Sequence, residues 1–251
     1  NGVNIPALVT PTDLMFSTTV PVTCLVNGTV EITGHTGGVG ILNYETIAPS
    51  PIIRGPQTST TFANLTPGTY VFQITDANGC KYQESYTVDP VTPIAIVGAL
   101  LTDISCNTAN GTNNNGSAQF TVTGVSASGN YSVATAPVVP AAQISKVGNV
   151  VTLTGLTSGI YTVTVTDLTT GCIEDASVTF TEPAAITFTA TASKVFCSRE
   201  ESAITVSGVT GGTGVYSYAV VAGGASAPVA GAYTNVATLS VDTNLTNLSW
   251  D

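Results

Sequence analysis

Five cysteines are the residues of this 251-residue sequence best able to form a covalent bond: Cys24, Cys80, Cys106, Cys172 and Cys197. Their spacing is ordered. Cys24, Cys106 and Cys197 each precede an alternating apolar segment, at intervals of 82 and 91 residues. Cys80 and Cys172 each follow a glycine in a turn-like stretch, Asn78-Gly79-Cys80 and Thr170-Gly171-Cys172. Two disulfide schemes respect that order. Pairing within repeats joins Cys24 to Cys80 and Cys106 to Cys172, and leaves Cys197 over. Pairing across repeats joins Cys80 to Cys106 and Cys172 to Cys197, and asks for a cysteine near position 3, where Val3 stands. The within-repeat scheme is the expected one, with buried free thiols as the alternative. Each such loop would stabilise its repeat by ~4 kcal/mol in the chain-entropy picture. Disulfides also point to an oxidising, extracytoplasmic setting.

Other residues offer less chemistry. His35 is the one histidine. A catalytic histidine needs a nucleophile or carboxylate partner, and none is identifiable beside it in the pattern. Asp76 and Asp167 recur in equivalent turns, and Asp89, Asp103 and Glu182 lie near the repeat junctions. Oxygen ligands of this kind suit calcium. No Asp-x-Asp-x-Asp cluster accompanies them, however, and Asp is an ordinary turn former that accepts hydrogen bonds from its own hairpin. The expectation is no cofactor and no metal. Glu174-Asp175 and Glu200-Glu201 are adjacent carboxylates, which point to opposite faces of a strand and do not form an acid–base pair. Gly37-Gly38-Val39-Gly40 has the glycines of a phosphate loop without its Lys-Ser/Thr or helix. Lys81, Lys146 and Lys194 occupy non-equivalent positions, which argues against a repeated Lys–Asn crosslink. Tyr44, Tyr216 and Tyr218 could line a sugar site, although aromatic side chains at strand spacing more commonly pack in a core. Asn27-Gly-Thr and Asn64-Leu-Thr match the glycosylation sequon.

The elements that must hold these residues follow from composition. The chain is 43% hydrophobic and only 8% charged, and 43 of its residues are threonine. Threonine favours strands and disfavours helices, so the chain reads as all-β. Fifteen acids against five bases give a net charge of −10, and the bases are scattered, which excludes a nucleic-acid surface. The longest apolar stretch, Ile94 to Leu101, is far short of the ~20 residues a membrane helix requires. Asn1-Gly2-Val3 does not open like a secretory signal. A mean hydropathy of +0.35 is high for a string solvated on every side. It suggests flanks covered by like chains in a fibre or by glycans.

Repeats organise the chain. Leu65-Thr-Pro-Gly-Thr-Tyr70 leads to Asp76 and Cys80, as Leu156-Thr-Ser-Gly-Ile-Tyr161 leads to Asp167 and Cys172. Gly34-His-Thr-Gly-Gly-Val-Gly40 parallels Gly208-Val-Thr-Gly-Gly-Thr-Gly214, with a shorter counterpart from Gly124 to Gly129 that sets Val125 opposite His35. Asp89-Pro90 and Glu182-Pro183 mark junctions where a proline cannot continue a ladder. The sequence therefore divides into 1–12, the last strand of a preceding repeat; 13–90 and 91–183, two whole repeats of about seven strands; and 184–251, a third repeat stopping before its last two strands. Tyr70, Phe72, Ile74 and Asp76 share one strand face by period two. The Leu-x-x-Gly-x-Tyr lead-in puts Tyr70 and Tyr161 at tyrosine corners of immunoglobulin-like β-sandwiches.

The order Cys, alternating strand, Gly-Gly-x-Gly with Tyr following, Leu-x-x-Gly-x-Tyr, Asp, Gly-Cys and a Thr/Val strand ending in Glu-Pro resembles the SprB-type repeat of Bacteroidota cell-surface proteins. Thr75-Asp76-Ala77-Asn78-Gly79-Cys80 is its most specific piece. The second repeat departs from it in its shortened glycine motif and one extra residue before Cys172. The resemblance implies a very large secreted adhesin, including those that serve gliding, exported by the type IX system. On that reading the segment is an extracellular stalk or filament with no enzyme in it. Its partners are neighbouring repeats of the same long chain, like chains in a fibre, and surface polysaccharide. The alternative is a carbohydrate-binding accessory region of a secreted hydrolase.

Overall fold

The computed structural model describes residues 9–51, 53–107, 113–192, 202–213, 216–218, 235–237 and 243–248. Apart from one three-residue 3-10 turn, Ala141–Gln143, every described regular element is a strand, and the fold is all-β. The first seven strands are β1 (Asp13–Val20), β2 (Gly28–Thr36), β3 (Asn43–Ala48), β4 (Arg54–Gln57), β5 (Thr61–Leu65), β6 (Gly68–Thr75) and β7 (Lys81–Val88). They form two antiparallel sheets, β1-β2-β5 and β4-β3-β6-β7. Seven more follow: β8 (Ala95–Thr102), β9 (Gly116–Thr123), β10 (Tyr131–Ala136), β11 (Ile144–Val147), β12 (Val150–Leu156), β13 (Gly159–Asp167) and β14 (Ile173–Phe180). Their sheets are β11-β12-β9-β8 and β10-β13-β14. Both sets follow the strand order of immunoglobulin-like sandwiches.

The two sets differ in where the fourth strand pairs. β4 joins β3, while β11 joins β12. The cause is local: Val147 and Val150 pair across the two-residue Gly148-Asn149 turn, with Gly148 at φ +57. Glycine first in such a turn matches the twist of the flanking strands, so β11 folds straight back onto β12.

Beyond these lie β15 (Thr187–Ala192), β16 (Ser202–Thr210), β17 (Tyr216–Tyr218), β18 (Asn235–Ala237) and β19 (Thr243–Leu248), in sheets β15-β16-β19 and β17-β18. Residues 1–8 of the expected leading strand lie outside the described residues, as does Cys197.

Alternation makes the core. On β6, Tyr70, Phe72 and Ile74 face inward and are buried, as the period-two reading requires. They meet Val30 and Ile32 of β2 and Phe62 and Leu65 of β5, from the opposite sheet. Phe72 is the hub, with the rings of Phe16 and Phe62 both 5.1 Å from its own. Gln73 on the outer face is also buried, because it bridges Glu45 of β3 and Gln83 of β7. On β9 and β12 the same alternation buries Ala118, Phe120, Val151 and Leu153.

The chain divides into two compact units: Asn1–Ile96 with Val122–Ala134 and Thr164–Asp175, and Val97–Thr121 with Thr135–Val163 and Ala176–Asp251. Neither is coextensive with a sequence repeat. The segments around Gly124 and Gly171 belong to the first unit because they close against Pro93 and Leu25.

Candidate functional site

The cysteines do not pair as expected. Cys24 bonds Cys172, 148 residues away and in the same compact unit, with their Cα atoms 5.0 Å apart. Cys80 and Cys106 are free thiols. Strand direction explains why Cys24–Cys80 is impossible. Cys24 lies ahead of the first residue of β2, where Gly28 abuts Val22 and Val88. Cys80 lies in the β6–β7 turn, which is tied to Val39, beyond the last residue of β2. The nine residues of β2 hold those ends roughly 30 Å apart. A disulfide needs Cα atoms within about 7 Å. The expected Cys106–Cys172 pair fails with it, since Cys172 is already bonded. Around the bond formed, the Cys24 N–H donates to the Thr170 carbonyl at 3.0 Å. Leu25 lies so close over Gly171 that a Cβ there would stand 2.5 Å from its methyl.

Asp76 and Asp167 are buried clasps. Asp76 Oδ1 accepts the N–H groups of Asn78 (2.9 Å) and Cys80 (2.8 Å) in its own turn, and Oδ2 accepts that of Val39 at 3.2 Å. Asp167 Oδ1 accepts Thr169 and Thr170 N–H, both at 2.8 Å, and the Ser126 hydroxyl at 3.1 Å. Its Oδ2 accepts Ser126 N–H at 2.6 Å. Each carboxylate thus pins its own hairpin to the loop after the second strand of its set. Burial pushes the pKa of Asp167 up, but the donors from Ser126, Thr170 and Thr169 outweigh it and hold the carboxyl well below the usual range. These oxygens point at N–H donors, which is the turn-former reading. Among the described residues no group of three or more His, Cys, Asp or Glu is placed to hold a metal ion.

The glycine motif closes on the chain itself. Gly37, Gly124 and Gly211 have φ of +75, +75 and +82. A Cβ on each would stand 2.1 Å from a carbonyl oxygen: Thr10, Pro93 and Ala185 respectively. Each of those residues lies just ahead of the first strand of its set. Gly38 N–H donates to Val9 O at 3.0 Å, and Gly212 N–H to Ala184 O at 2.8 Å. The motif therefore stitches the entry of one strand to the loop of another. This corrects the alignment of the second repeat: Gly124 matches Gly37, not Gly34, and Val125 stands at Gly38 rather than at His35. Gly37→Ala and Gly124→Ala should each cost about 2–4 kcal/mol, from a carbonyl clash added to a left-handed backbone. Gly79→Ala, at φ +80 with nothing within 4 Å of the new methyl, should cost about 1 kcal/mol. Urea midpoints of the three variants check the contrast.

The two tyrosines of the Leu-x-x-Gly-x-Tyr motif are buried. Tyr70 Oη donates to Thr66 O at 3.0 Å. Tyr161 differs, accepting Thr157 N–H at 3.2 Å, with Thr157 Oγ1 at 3.1 Å. His35 is exposed, with Nδ1 3.0 Å from Gly37 O. Tyr44 is buried, and burial raises its pKa. Tyr216 is half-buried and donates to Gly211 O at 2.5 Å. The side chain of Tyr218 lies outside the described residues. Asn27 and Asn64, two of the sequon asparagines, are joined by a 2.7 Å hydrogen bond from Asn27 Nδ2 to Asn64 Oδ1.

No protein-family model and no curated protein matches the chain. Among solved structures it is similar to surface layer protein SbsC, domains 4–9, at 13% identity and a TM-score of 0.32, over 85% of this chain and 40% of that one. It is similar to SbsC domains 4 and 5 at 14% identity and a TM-score of 0.31, over 68% of this chain and 98% of that one. The chain therefore spans less than half the length of the first. No helix among the described residues is long and apolar enough to cross a membrane.

Proposed function

We propose that this chain is a non-catalytic structural segment of an extracellular surface protein, a stalk of the SprB-type adhesin kind whose work is span and resistance to pulling. The observation that carries the reading is the Cys24–Cys172 bond. It spans the Asp89-Pro90 junction and locks parts of two successive sequence repeats into one closed loop. A spacer under tension gains from such a bond, whereas a catalytic site does not need one. The aspartate clasps, glycine stitches and tyrosine hydroxyl bonds support the same reading. They spend the polar chemistry of the loop ends on holding the chain together. Lateral packing of like chains is supported by β8, an edge strand whose Val97, Leu100 and Leu101 are exposed.

The test replaces residues 9–192 by an unrelated pair of disulfide-closed sandwiches of equal length, in cells that display the protein. Surface attachment should persist. Attachment lost while display is retained would mean that these residues bind or act in their own right, and the spacer reading would be abandoned.

A further inference from the structure

The two free thiols are of different kinds. Cys106 precedes β9 as Cys24 precedes β2, and it is exposed. Cys80 stands in the β6–β7 turn as Cys172 stands in the β13–β14 turn, and it is half-buried. The one bond formed joins a cysteine of the first kind to one of the second. Each free thiol therefore lacks a partner of the opposite kind.

The surroundings of Cys106 say where that partner would sit. Within the second unit, Cys106 lines a cavity of about 340 Å³ with Ala185, Ile186, Gly212 and Thr213. Thr213 follows Gly211 by two residues, as Val39 follows Gly37 and Ser126 follows Gly124. Val39 and Ser126 are the residues whose N–H groups donate to Asp76 and Asp167. Cys106 thus opens onto the point where a turn of this type would dock its aspartate. The cysteine of such a turn comes four residues after the aspartate in Asp76–Cys80 and five in Asp167–Cys172. Cys24 meets Cys172 in a turn docked on Ser126 by that same contact.

We propose that Cys106 and Cys80 are open rungs of a disulfide ladder. Cys106 bonds the cysteine of a Gly-Cys turn whose aspartate docks at Thr213, and Cys80 bonds a pre-strand cysteine of the Cys24 kind. The inference rests on the tandem-repeat reading above. Cys197, of the Cys24 kind by sequence, would extend the series. Each rung forms by exchange with a disulfide-bonded donor. The Cys106 thiolate attacks one donor sulfur and the other leaves as a thiolate; the partner thiolate then attacks the Cys106 sulfur, and the first donor sulfur leaves. The two cysteines lose two electrons and two protons, and the donor ends as a dithiol.

That turn belongs either to the same polypeptide or to a second copy. In protein recovered from its native surface and alkylated before reduction, peptide mapping should find Cys106 joined to a Gly-Cys turn peptide and Cys80 to a pre-strand peptide. A link within one polypeptide leaves a single monomer band on a non-reducing gel; a second copy gives multimers that collapse on reduction. In the 251-residue chain alone, treated with oxidised glutathione, cross-links from Cys80 to Cys106 or Cys197 should exceed Cys106–Cys106 by tenfold or more. Cys80→Ser should abolish them and leave Cys24–Cys172 intact. Alkylated Cys106 or Cys80 in the native protein, or equal yields of like-to-like links, would overturn the ladder. The spacer reading would survive that result, since the replacement experiment reads it separately.

Discussion

Stretched from its two ends, the oxidised chain should fall short of the reduced chain's full contour by roughly 500 Å, because the Cys24–Cys172 bond shields the 148-residue separation between them from extension. Force spectroscopy on single molecules reads this directly as the length gained on adding reductant. Cys172→Ser should give the full contour in either redox state, and Cys80→Ser should change nothing. The second comparison separates the bond found from the Cys24–Cys80 scheme, under which Cys80→Ser would release length. Reduction should also lower stability at rest. A loop of this size stabilises by about 5 kcal/mol in the chain-entropy picture, read as a fall in the urea midpoint of the segments it closes. Equal contour lengths with and without reductant would remove the bond, and with it the observation on which the proposed function stands.

Much of the architecture was legible because it depends on local periodicity. Tyr70, Phe72 and Ile74 alternate, so one face of β6 had to be core. Threonine-rich segments broken by Gly and Asn had to be short strands. The disulfide was not legible from recurrence alone, because spacing along the chain does not say at which end of a sandwich a residue lies. Counting strand direction would have excluded the expected pairs: a cysteine ahead of the second strand and one in the last hairpin sit at opposite ends of the same sandwich. The second glycine motif was misaligned for a smaller reason. β1 and β2 slip register where Met15 pairs Gly34 and Phe16 pairs Ile32, which leaves Thr33 unmatched. That bulge accounts for one of the three residues of error; the other two come from matching Phe120 and Val122 to Val30 and Ile32, where the ladders set Ala118 and Phe120. Asp76 and Asp167 were visible as turn residues. Their second contact, to Val39 and Ser126, spans 37 and 41 residues and follows only once the loops are in place.

Removing the carboxylate of Asp167 should have the largest effect of any single side chain in these clasps. Asp167→Ala strands the N–H groups of Ser126, Thr169 and Thr170 and the Ser126 hydroxyl. Fully buried donors left without acceptors cost about 1–3 kcal/mol each; these four are part-buried, so a total loss of about 3 kcal/mol is expected. Asp167→Asn keeps one acceptor oxygen and turns an amide toward the remaining donors, and should lose about 2 kcal/mol. The two substitutions separate packing from charge, and pH sharpens the test. The folded state holds this carboxyl below its unfolded value of about 3.9. Its contribution is therefore whole at neutral pH, starts to fall as pH drops toward about 4, and keeps falling until the folded form protonates. Other carboxylates titrate over the same range, but they do so in both proteins. The stability difference between the parent chain and Asp167→Asn should accordingly shrink from pH 7 to pH 3, measured as paired urea midpoints. A difference that stays constant over that interval would mean the clasp holds by shape alone, with the negative charge contributing nothing to the turn.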